Sequence, residues 1–432
     1  MSLVVVLAIV AAIALGYKTR INIGLFAIAF AYLIGSFAMG MKPSDIIAMW
    51  PLKIFFVIFS VCLFYSFAMI NGTLEKLAGH LLWACRGMPW LLPYAIYLTA
   101  TVIAAMGAGY YTVLAFMAPI TLILCRRTGM DLILGGMAVN YGALGGANFM
   151  SSQSGIIFRG LMTNAGLDDN SAFINAAAIF GATFVLPLVV ITVLLFLTGR
   201  HRVIGGTGDA FTRPEPLDGR QRATLWLTLA MMAIVLAAPL AHLAFPSSTI
   251  VTYINSKIDI GLIASIFSVI ALLMKLGDER KAIASLPWGT LIMICGMGML
   301  ISVAIKAGTI DQLAGWISTT IPAHLVPLAF GIVAAIMSLF ASTLGVVTPA
   351  LFPMVLPLAA SLGLSPMLMF TAIVVGAQAT SISPFSSGGS LILGSALDDE
   401  TRGSLFTRLL LRAAPLGFVA ALVCNLILTF AF

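Results

Sequence analysis

The sequence predicts an all-α polytopic membrane protein made of two copies of one structural unit in opposite orientations. Of its 432 residues, 61% are hydrophobic and 9% are charged, whereas about a quarter of the residues in a soluble domain are charged. Identical residues recur in order: Pro51 matches Pro287 and Gly72-Thr73 matches Gly308-Thr309, each pair 236 positions apart. Polar, glycine-rich stretches also interrupt apolar segments at corresponding places in both halves, which indicates a duplicated helical unit.

The charge and the cysteines exclude several classes of protein. The net charge of +7 does not indicate a nucleic-acid partner, because basic residues in the loops of a membrane protein report its orientation. The five cysteines lie in or beside apolar segments without metal-ligand spacing, so neither a disulfide framework nor a zinc site is predicted. The chain has no phosphate-binding glycine loop and no acid–base pair, so we expect neither an enzyme nor a bound cofactor.

The first half comprises residues 1–199. A helix needs roughly 20 apolar residues to cross a bilayer. Shorter apolar runs that flank a glycine-rich stretch are predicted to form a re-entrant hairpin. In order, we predict crossings at 2–16, 21–40 and 51–70, an amphipathic interfacial helix at 72–82, hairpin arms at 91–106 and 113–125, a broken crossing at 131–165 and a returning helix at 172–198.

Residues 200–223 are rich in Gly, Pro and Arg and are predicted to form a linker. The second half, residues 224–432, repeats the order of the first. We predict crossings at 223–244, 260–276 and 288–305, an interfacial helix at 308–317, hairpin arms at 325–341 and 350–362, a broken crossing at 367–396 and a last helix at 404–432.

Five crossings in each half place the second half upside down relative to the first, which is the inverted repeat of secondary transporters. If the linker is cytoplasmic, most of the 22 Lys and Arg residues lie on its side of the membrane, as the positive-inside rule requires. Both termini are then periplasmic. The exceptions are Lys42, Lys53, Arg159, Lys257 and Lys306.

Four interruptions are predicted to meet near the middle of the membrane, at 107–112, 142–155, 342–349 and 378–390. Helix N-termini attract anions, and freed carbonyl groups coordinate small cations. The nearby side chains are neutral, and the predicted membrane core lacks Asp and Glu, which favours sodium over protons as a coupling ion. Ser, Thr and Gly also pack helices in membranes, so any single residue has that alternative role. For Arg159, pairing with a carboxylate and snorkelling to the interface both remain open.

Three stretches resemble the N-terminal domain of bacterial malonate dicarboxylate carriers of the MatC type. They are Gly16-Tyr-Lys-Thr-Arg-Ile-Asn-Ile-Gly-Leu-Phe-Ala-Ile-Ala-Phe-Ala-Tyr32, Met39-Gly-Met-Lys-Pro-Ser44 and Asn71-Gly-Thr-Leu-Glu-Lys-Leu-Ala78. Over the whole chain, two hairpins each followed by a broken helix are similar to the divalent anion/sodium symporters of the ion transporter superfamily.

That resemblance implies a homodimer in a bacterial inner membrane with an elevator mechanism. Residues 1–90 and 224–322 would form the scaffold, and 91–199 and 323–432 the moving transport domain. It also implies sodium beside the hairpin tips and a dicarboxylate between them. The symporters carry Ser-Asn-Thr at each tip, whereas this chain has Gly107-Ala-Gly-Tyr-Tyr-Thr112 and Thr343-Leu-Gly-Val-Val-Thr348, so backbone carbonyls are predicted to hold the sodium.

The repeat and the resemblance together predict a sodium-coupled importer of a small dicarboxylate, with malonate as the first candidate. A proton-coupled or exchange carrier is one alternative, and the large membrane subunit of a binding-protein-dependent transport complex is another. The predicted substrate-binding residues are Thr112, Asn148, Ser151, Ser152, Gln153, Thr348, Thr380, Ser383, Ser386 and Ser387. The predicted sodium ligands are carbonyl groups near Gly107, Gly109, Gly146, Gly345 and Ser383.

Overall fold

The computed structural model describes residues 2–19, 21–84, 89–197, 213–339, 342–396 and 398–431, and these residues contain helices and no strands. The helices of the first half are α1 (Ser2–Thr19), α2 (Ile23–Tyr32), α3 (Pro43–Ile47), α4 (Leu52–Ile70), α5 (Thr73–Ala84), α6 (Leu92–Ile103), α7 (Tyr110–Thr128), α8 (Leu132–Ala147), α9 (Gln153–Asn164) and α10 (Asp169–Leu197). Those of the second half are α11 (Gly219–Ala244), α12 (Thr249–Lys257), α13 (Ile260–Leu273), α14 (Glu279–Ala284), α15 (Trp288–Lys306), α16 (Thr309–Thr320), α17 (Val326–Ser338), α18 (Thr348–Leu362), α19 (Pro366–Ala379), α20 (Ser387–Gly394), α21 (Asp399–Arg408) and α22 (Ala414–Ala431). Short π-helical turns extend α2 (Leu33–Ala38) and α6 (Ala104–Ala108), precede α18 (Thr343–Val347) and join α21 to α22 (Leu409–Ala413).

Several of these helices are long and apolar enough to cross a bilayer. Within the described residues, six stretches meet that requirement: Pro43–Ile70, Asp169–Phe196, Gly219–Ala244, Trp288–Lys306, Thr343–Leu362 and Asp399–Phe430. Two further pairs are bent at a break, α12 with α13 by 63° and the segment Gln312–Thr320 with Ala323–Ser338 by 111°. The chain is therefore a multi-pass membrane protein, as its composition predicts.

The two halves pack on each other reciprocally. Helix α2 packs along α15, and their repeat counterparts α13 and α4 pack along one another, which is the relation that a two-fold exchange of the halves produces. The α2–α15 contact is close because a Cβ on Gly24 would lie 2.2 Å from the Ile292 carbonyl oxygen. The repeat seen in the sequence is thus a repeat of structure.

The broken helices cross between two hydrophobic cores. Helix α9 follows the first break but packs with the second hairpin, where the rings of Phe158 and Phe352 lie 5.9 Å apart. Conversely, Ile382 and Ile392 of the second broken helix belong to the core built around the first hairpin, α6 and α7. Both breaks therefore lie where the two cores meet.

The first break is shorter than predicted, and the extent 142–155 is wrong. Residues 142–147 stay helical in α8, and the chain leaves the helix at 148–152. The glycines serve packing instead, because a Cβ on Gly142 would lie 2.4 Å from the Tyr97 carbonyl oxygen and one on Gly146 would lie 2.1 Å from that of Thr101. A glycine-rich helix face that allows two helices to approach closely has the same sequence pattern as an unwound segment.

The second hairpin tip also differs from its predicted range of 342–349. The second arm becomes helical at Thr343, because the Ser342 hydroxyl caps it by accepting a hydrogen bond from the Gly345 N–H at 3.2 Å. The second break spans 380–386 rather than 378–390. Helix α11 begins within the predicted linker, of which residues 200–212 lie outside the described residues.

The start of α11 offers a test of helix capping. The Asp218 side chain accepts a hydrogen bond from the Gln221 N–H at 2.8 Å, and the Gln221 side chain accepts one from the Asp218 N–H at 3.1 Å. We expect Asp218→Ala to destabilise the protein by about 1 kcal/mol. Glu215→Ala removes the same charge nearby but breaks only an exposed ion pair with Lys76, so its effect should be smaller. Thermal unfolding in detergent measures both, and equal losses would contradict the capping role.

Three ion pairs involve basic residues that are predicted to lie on the linker's side of the membrane. The Lys76 ammonium is 3.5 Å from the Glu215 carboxylate, and the Arg408 guanidinium is 2.5 Å from that of Asp131. Arg126 pairs with Asp398. The pair of Lys53 with Asp169, at 3.4 Å, lies at the other end of α4.

Candidate functional site

The first break is a short irregular segment between α8 and α9. Helix α8 is capped at its start by Asp131, whose carboxylate accepts a hydrogen bond from the Ile133 N–H at 2.7 Å. It ends at Asn148, and α9 begins after Ser152. A Cβ on Gly155 would lie 2.2 Å from the Phe149 carbonyl oxygen. The first turn of α9 is thus folded tightly against the break.

The second break is held by its own serines. The Ser386 hydroxyl donates to the Ser383 carbonyl at 2.8 Å and accepts from the Gly389 N–H at 3.3 Å, which caps α20. Pro384 has no N–H to continue a helix. The Thr380 hydroxyl donates to the Ala335 carbonyl of α17 at 2.7 Å, and this bond ties the break to the second hairpin.

The two breaks are joined by a reciprocal pair of amides. The Asn148 amide nitrogen donates to the Gln378 side-chain oxygen at 2.8 Å, and the Gln378 amide nitrogen donates to the Asn148 side-chain oxygen at 2.9 Å. Asn148 also donates to the Thr183 hydroxyl of α10 at 2.9 Å. Both amides are buried, so the pair fixes the two halves of the molecule relative to each other.

The first hairpin tip lies between α4 and the first break. Gly107 (φ 95°) and Gly109 (φ 72°) have left-handed backbone conformations that favour glycine. The Ser152 hydroxyl donates to the Ala104 carbonyl at 2.6 Å. From α4, the Tyr65 ring covers Gly107, where a Cβ would lie 1.9 Å from a ring carbon, and the Tyr65 hydroxyl donates to the Ser151 carbonyl at 3.3 Å.

A narrow cleft lies where both hairpins and both breaks converge. Its described lining comes from all four predicted interruptions, and none of those residues has a charged side chain. The described residues that line it are Tyr110, Tyr111, Leu144, Ser154, Ser338, Ser342, Thr343, Leu344, Gln378, Ser381, Ser386, Ser387 and Gly388.

Four helical segments begin at this cleft. Tyr110 is the first residue of α7, Ser154 is the second of α9, Thr343 opens the helical turn before α18, and Ser387 is the first residue of α20. Each helix N-terminus carries roughly +0.5 elementary charge. The last turns of α17 and α19, with Ser338 and Gln378, also border the cleft, so its described lining consists of helix ends and neutral side chains.

The predicted substrate residues of the first half lie close to this cleft but do not line it. The Asn148 amide is hydrogen-bonded to the side chains of Gln378 and Thr183, and the Ser152 hydroxyl is hydrogen-bonded to the Ala104 carbonyl. Ser151 is buried, and its hydroxyl has no hydrogen-bond partner among the described residues. The Gln153 side-chain oxygen lies over Gly109, and Thr112 is half-buried in the first turn of α7.

In the second half, two of the five predicted substrate residues line the cleft, Ser386 and Ser387. The Thr348 hydroxyl donates to the Thr343 carbonyl at 3.1 Å, and Thr380 is bound to Ala335. The Ser383 hydroxyl accepts a hydrogen bond from the Phe385 N–H at 3.3 Å. These hydroxyls hold the backbone of the break and of the hairpin.

The predicted sodium ligands lie at both hairpin tips, in the last turn of α8 at Gly146 and in the second break. Gly109 and Gly146 each accept a backbone hydrogen bond, from Val113 and Phe149. The Ser383 carbonyl accepts two bonds from Ser386. Pro349 lies four residues after Gly345, so the Gly345 carbonyl receives no α-helical hydrogen bond from it. A Cβ on Gly345 would overlap the side chain of Met293 in α15.

The predicted substrate residues do not include a polar chain that lies behind the cleft. The Tyr110 hydroxyl donates to the Asn140 side-chain oxygen at 2.7 Å, and the Asn140 amide donates to the Ser381 hydroxyl at 3.2 Å. Tyr110 and Tyr111 belong to the glycine-rich tip that the sequence identified, so the tip itself could have indicated them. Tyr65 lies inside an apolar crossing, where the sequence gives no such signal.

Paired hairpins and broken helices around one polar cleft define a membrane transporter. The chain belongs to the dicarboxylate carrier family described as "Dicarboxylate carrier protein MatC N-terminus", whose profile matches residues 1–147 and 236–381. The matched segments begin 235 positions apart, which is also the separation of Ser151 from Ser386. One family profile thus matches both halves of the repeat.

Two curated relatives are similar over part of the chain. They are the uncharacterized transporters MT2759 and Rv2685 of two Mycobacterium tuberculosis strains, each 24% identical over 270 residues. The match covers 60% of this chain and 58% of the length of each relative. Among solved structures, the YdaH transporter of Alcanivorax borkumensis, described as having an unusual topology, matches with a TM-score of 0.59 and 17% identity. That match covers 93% of this chain and 89% of the other, and it shows a shared fold.

Proposed function

We propose that this protein imports a small dicarboxylate, with malonate as the first candidate, in symport with sodium across a bacterial inner membrane. The observation that carries the proposal is the convergence of four helix N-termini on one uncharged, hydroxyl-rich cleft. Such termini bind anions, and a dicarboxylate brings two negative charges to be shared among them. Membership of a dicarboxylate carrier family supports the same substrate class.

The substrate would be held mainly by the second half of the chain. Ser386 and Ser387 line the cleft beside the start of α20, where hydroxyl and backbone N–H groups can donate to carboxylate oxygens. The remaining predicted residues, Thr112, Asn148, Ser151, Ser152, Gln153, Thr348, Thr380 and Ser383, would position the breaks or reach the substrate in another conformation. An elevator movement of the hairpins and broken helices within a homodimer is part of the proposal.

Sodium coupling is supported because the oxygen atoms near the cleft that could bind a cation are neutral hydroxyl and carbonyl groups rather than carboxylates, which could carry a proton. Among the described residues, no cluster of His, Cys, Asp and Glu could hold a metal ion, and no acidic side chain lines the cleft. The buried Ser151 hydroxyl, without a partner in the described part of the chain, is an oxygen that a sodium ion could use beside the first tip. The carbonyls near Gly107, Gly109, Gly146, Gly345 and Ser383 would supply the other ligands.

Uptake by the purified chain tests the function. After reconstitution into liposomes, we expect radiolabelled malonate to accumulate under an inward sodium gradient and not under a proton gradient or without a gradient. Accumulation driven by protons alone would contradict sodium coupling and favour the proton-coupled carrier. Equal flux without any gradient, stimulated by malonate on the opposite side, would indicate an exchanger. Absence of uptake for malonate, succinate and other small dicarboxylates would overturn the proposal and favour a partner-dependent subunit.

A further inference from the structure

A second cavity lies along α9, away from the central cleft. It is open to solvent, with about 1460 Å³ of empty space that includes the solvent at its mouth, and it is bordered by α4, α9, the start of α10, α11 and the segment from α12 to α13. Its titratable lining residues are Lys53, Arg159, Asp169, His242 and Asp259. We call it the outer cavity. Unlike the described lining of the cleft, it presents charged side chains, two basic and two acidic.

Arg159 is attracted by the charges of Asp169 and Asp259, but each of these carboxylates has another contact. Lys53 is 3.4 Å from the Asp169 carboxylate. Asp259 accepts a hydrogen bond from the Leu262 N–H at 3.0 Å and so caps α13. The Arg159 guanidinium has no ion pair or hydrogen bond among the described residues. It lies over the Phe173 ring, 5.3 Å from its centroid, and this contact leaves its five N–H donors unused.

The outer cavity lies at the membrane face opposite the linker. Lys53 is in the first turn of α4, and Asn71 follows the other end of that helix, where the Gln221 side chain donates to its carbonyl at 2.9 Å. An α-helix rises 1.5 Å per residue, so these ends are roughly 27 Å apart. Arg159 is seven residues beyond Ser152, or roughly 10 Å along α9 from the first break. The cavity therefore lies between that face and the central cleft.

We propose that the outer cavity is a second binding site for the transported dicarboxylate, in which Arg159 pairs with one carboxylate group. This inference rests on the proposed function. A planar guanidinium binds a carboxylate through two parallel hydrogen bonds. Substrate held here would lie beside the C-terminal half of α9. From there it would pass to the cleft, where helix N-termini would take the place of the arginine in binding the carboxylate.

The charge preference of the cavity can be measured without transport. Thr163 lines the cavity, and its hydroxyl donates within α9 to the Gly160 carbonyl, so Thr163→Cys introduces a thiol with little disturbance. In nanodiscs, we compare its rate of modification by a sulfonate-bearing methanethiosulfonate and by the trimethylammonium analogue. The rate of the unsubstituted chain, whose described cysteines are buried or half-buried, is subtracted.

We expect Thr163→Cys to react faster with the anionic reagent, and Arg159→Gln to lower the anionic-to-cationic rate ratio roughly 10-fold or more, as loss of a charge-assisted contact implies. Malonate should protect the thiol in the presence of Arg159 and not after Arg159→Gln. Lys42→Gln, which removes an exposed positive charge outside the cavity, should change neither result. Arg159→Lys should keep part of the anion preference, which distinguishes loss of charge from misfolding.

Each other outcome is decisive. A rate ratio that is the same with and without Arg159 would overturn the anion site. A ratio that depends on Arg159 but no protection by malonate or succinate would overturn the dicarboxylate as its ligand. Protection by malonate in a chain that shows no uptake in liposomes would refute the proposed transport function while supporting the outer site.

Discussion

Replacing Asn148 with leucine is expected to abolish malonate uptake and to lower the thermal unfolding midpoint substantially. The substitution removes both hydrogen bonds to Gln378 and leaves that buried amide without its partner. A buried polar group left unsatisfied costs about 1–3 kcal/mol, and here both a donor and an acceptor are affected, as is the Thr183 hydroxyl. Since the pair links the two breaks, its loss should also disorder the cleft.

A double-mutant cycle isolates the pair. We expect Asn148→Leu combined with Gln378→Leu to cost less than the sum of the single changes, with a coupling of about 0.5–3 kcal/mol. Asn175→Leu is the matched control, because Asn175 is buried but donates only within its own helix, to the Ser171 carbonyl. Additive effects, or an equal loss of uptake in the control, would show that the amide pair does not join the halves.

The sequence predicted the parts of the site that depend on order along the chain. Apolar length, glycine-rich interruptions and matches at a constant offset are one-dimensional signals, and they located both hairpins and both breaks. The boundaries were less accurate because a glycine can either unwind a helix or let a neighbour approach. Gly142 and Gly146 do the latter against α6, and no pattern within α8 distinguishes the two uses.

Which break residues face the cleft could not be predicted from the repeat. The pair Ser151-Ser152 corresponds to Ser386-Ser387 in sequence, yet the first pair is buried behind the first hairpin tip and the second lines the cleft. Which face of each break is covered depends on tertiary packing, which hydropathy does not encode. The position of Tyr65 against Gly107 has the same origin, since it depends on how α4 crosses the hairpin.

Replacing Gly107 with alanine is expected to abolish uptake because two costs coincide at this residue. A φ of 95° is unfavourable for any residue with a Cβ, at about 1–2 kcal/mol. In addition, the new methyl group would lie 1.9 Å from a carbon of the Tyr65 ring, so either the hairpin tip or the ring must move. A displaced tip would withdraw the N-terminus of α7 from the cleft.

Gly40→Ala separates these costs. Gly40 has a φ of 67° and nothing within 4 Å of its Cβ position, so the alanine there has the conformational cost without the clash. We expect Gly40→Ala to retain uptake and Gly107→Ala to lose it. Adding Tyr65→Ala to Gly107→Ala should lower stability by less than the two single changes together, because the clash is relieved while the backbone cost remains. If Gly107→Ala behaves like Gly40→Ala in uptake and in thermal unfolding, the contact with Tyr65 does not hold the hairpin tip in place.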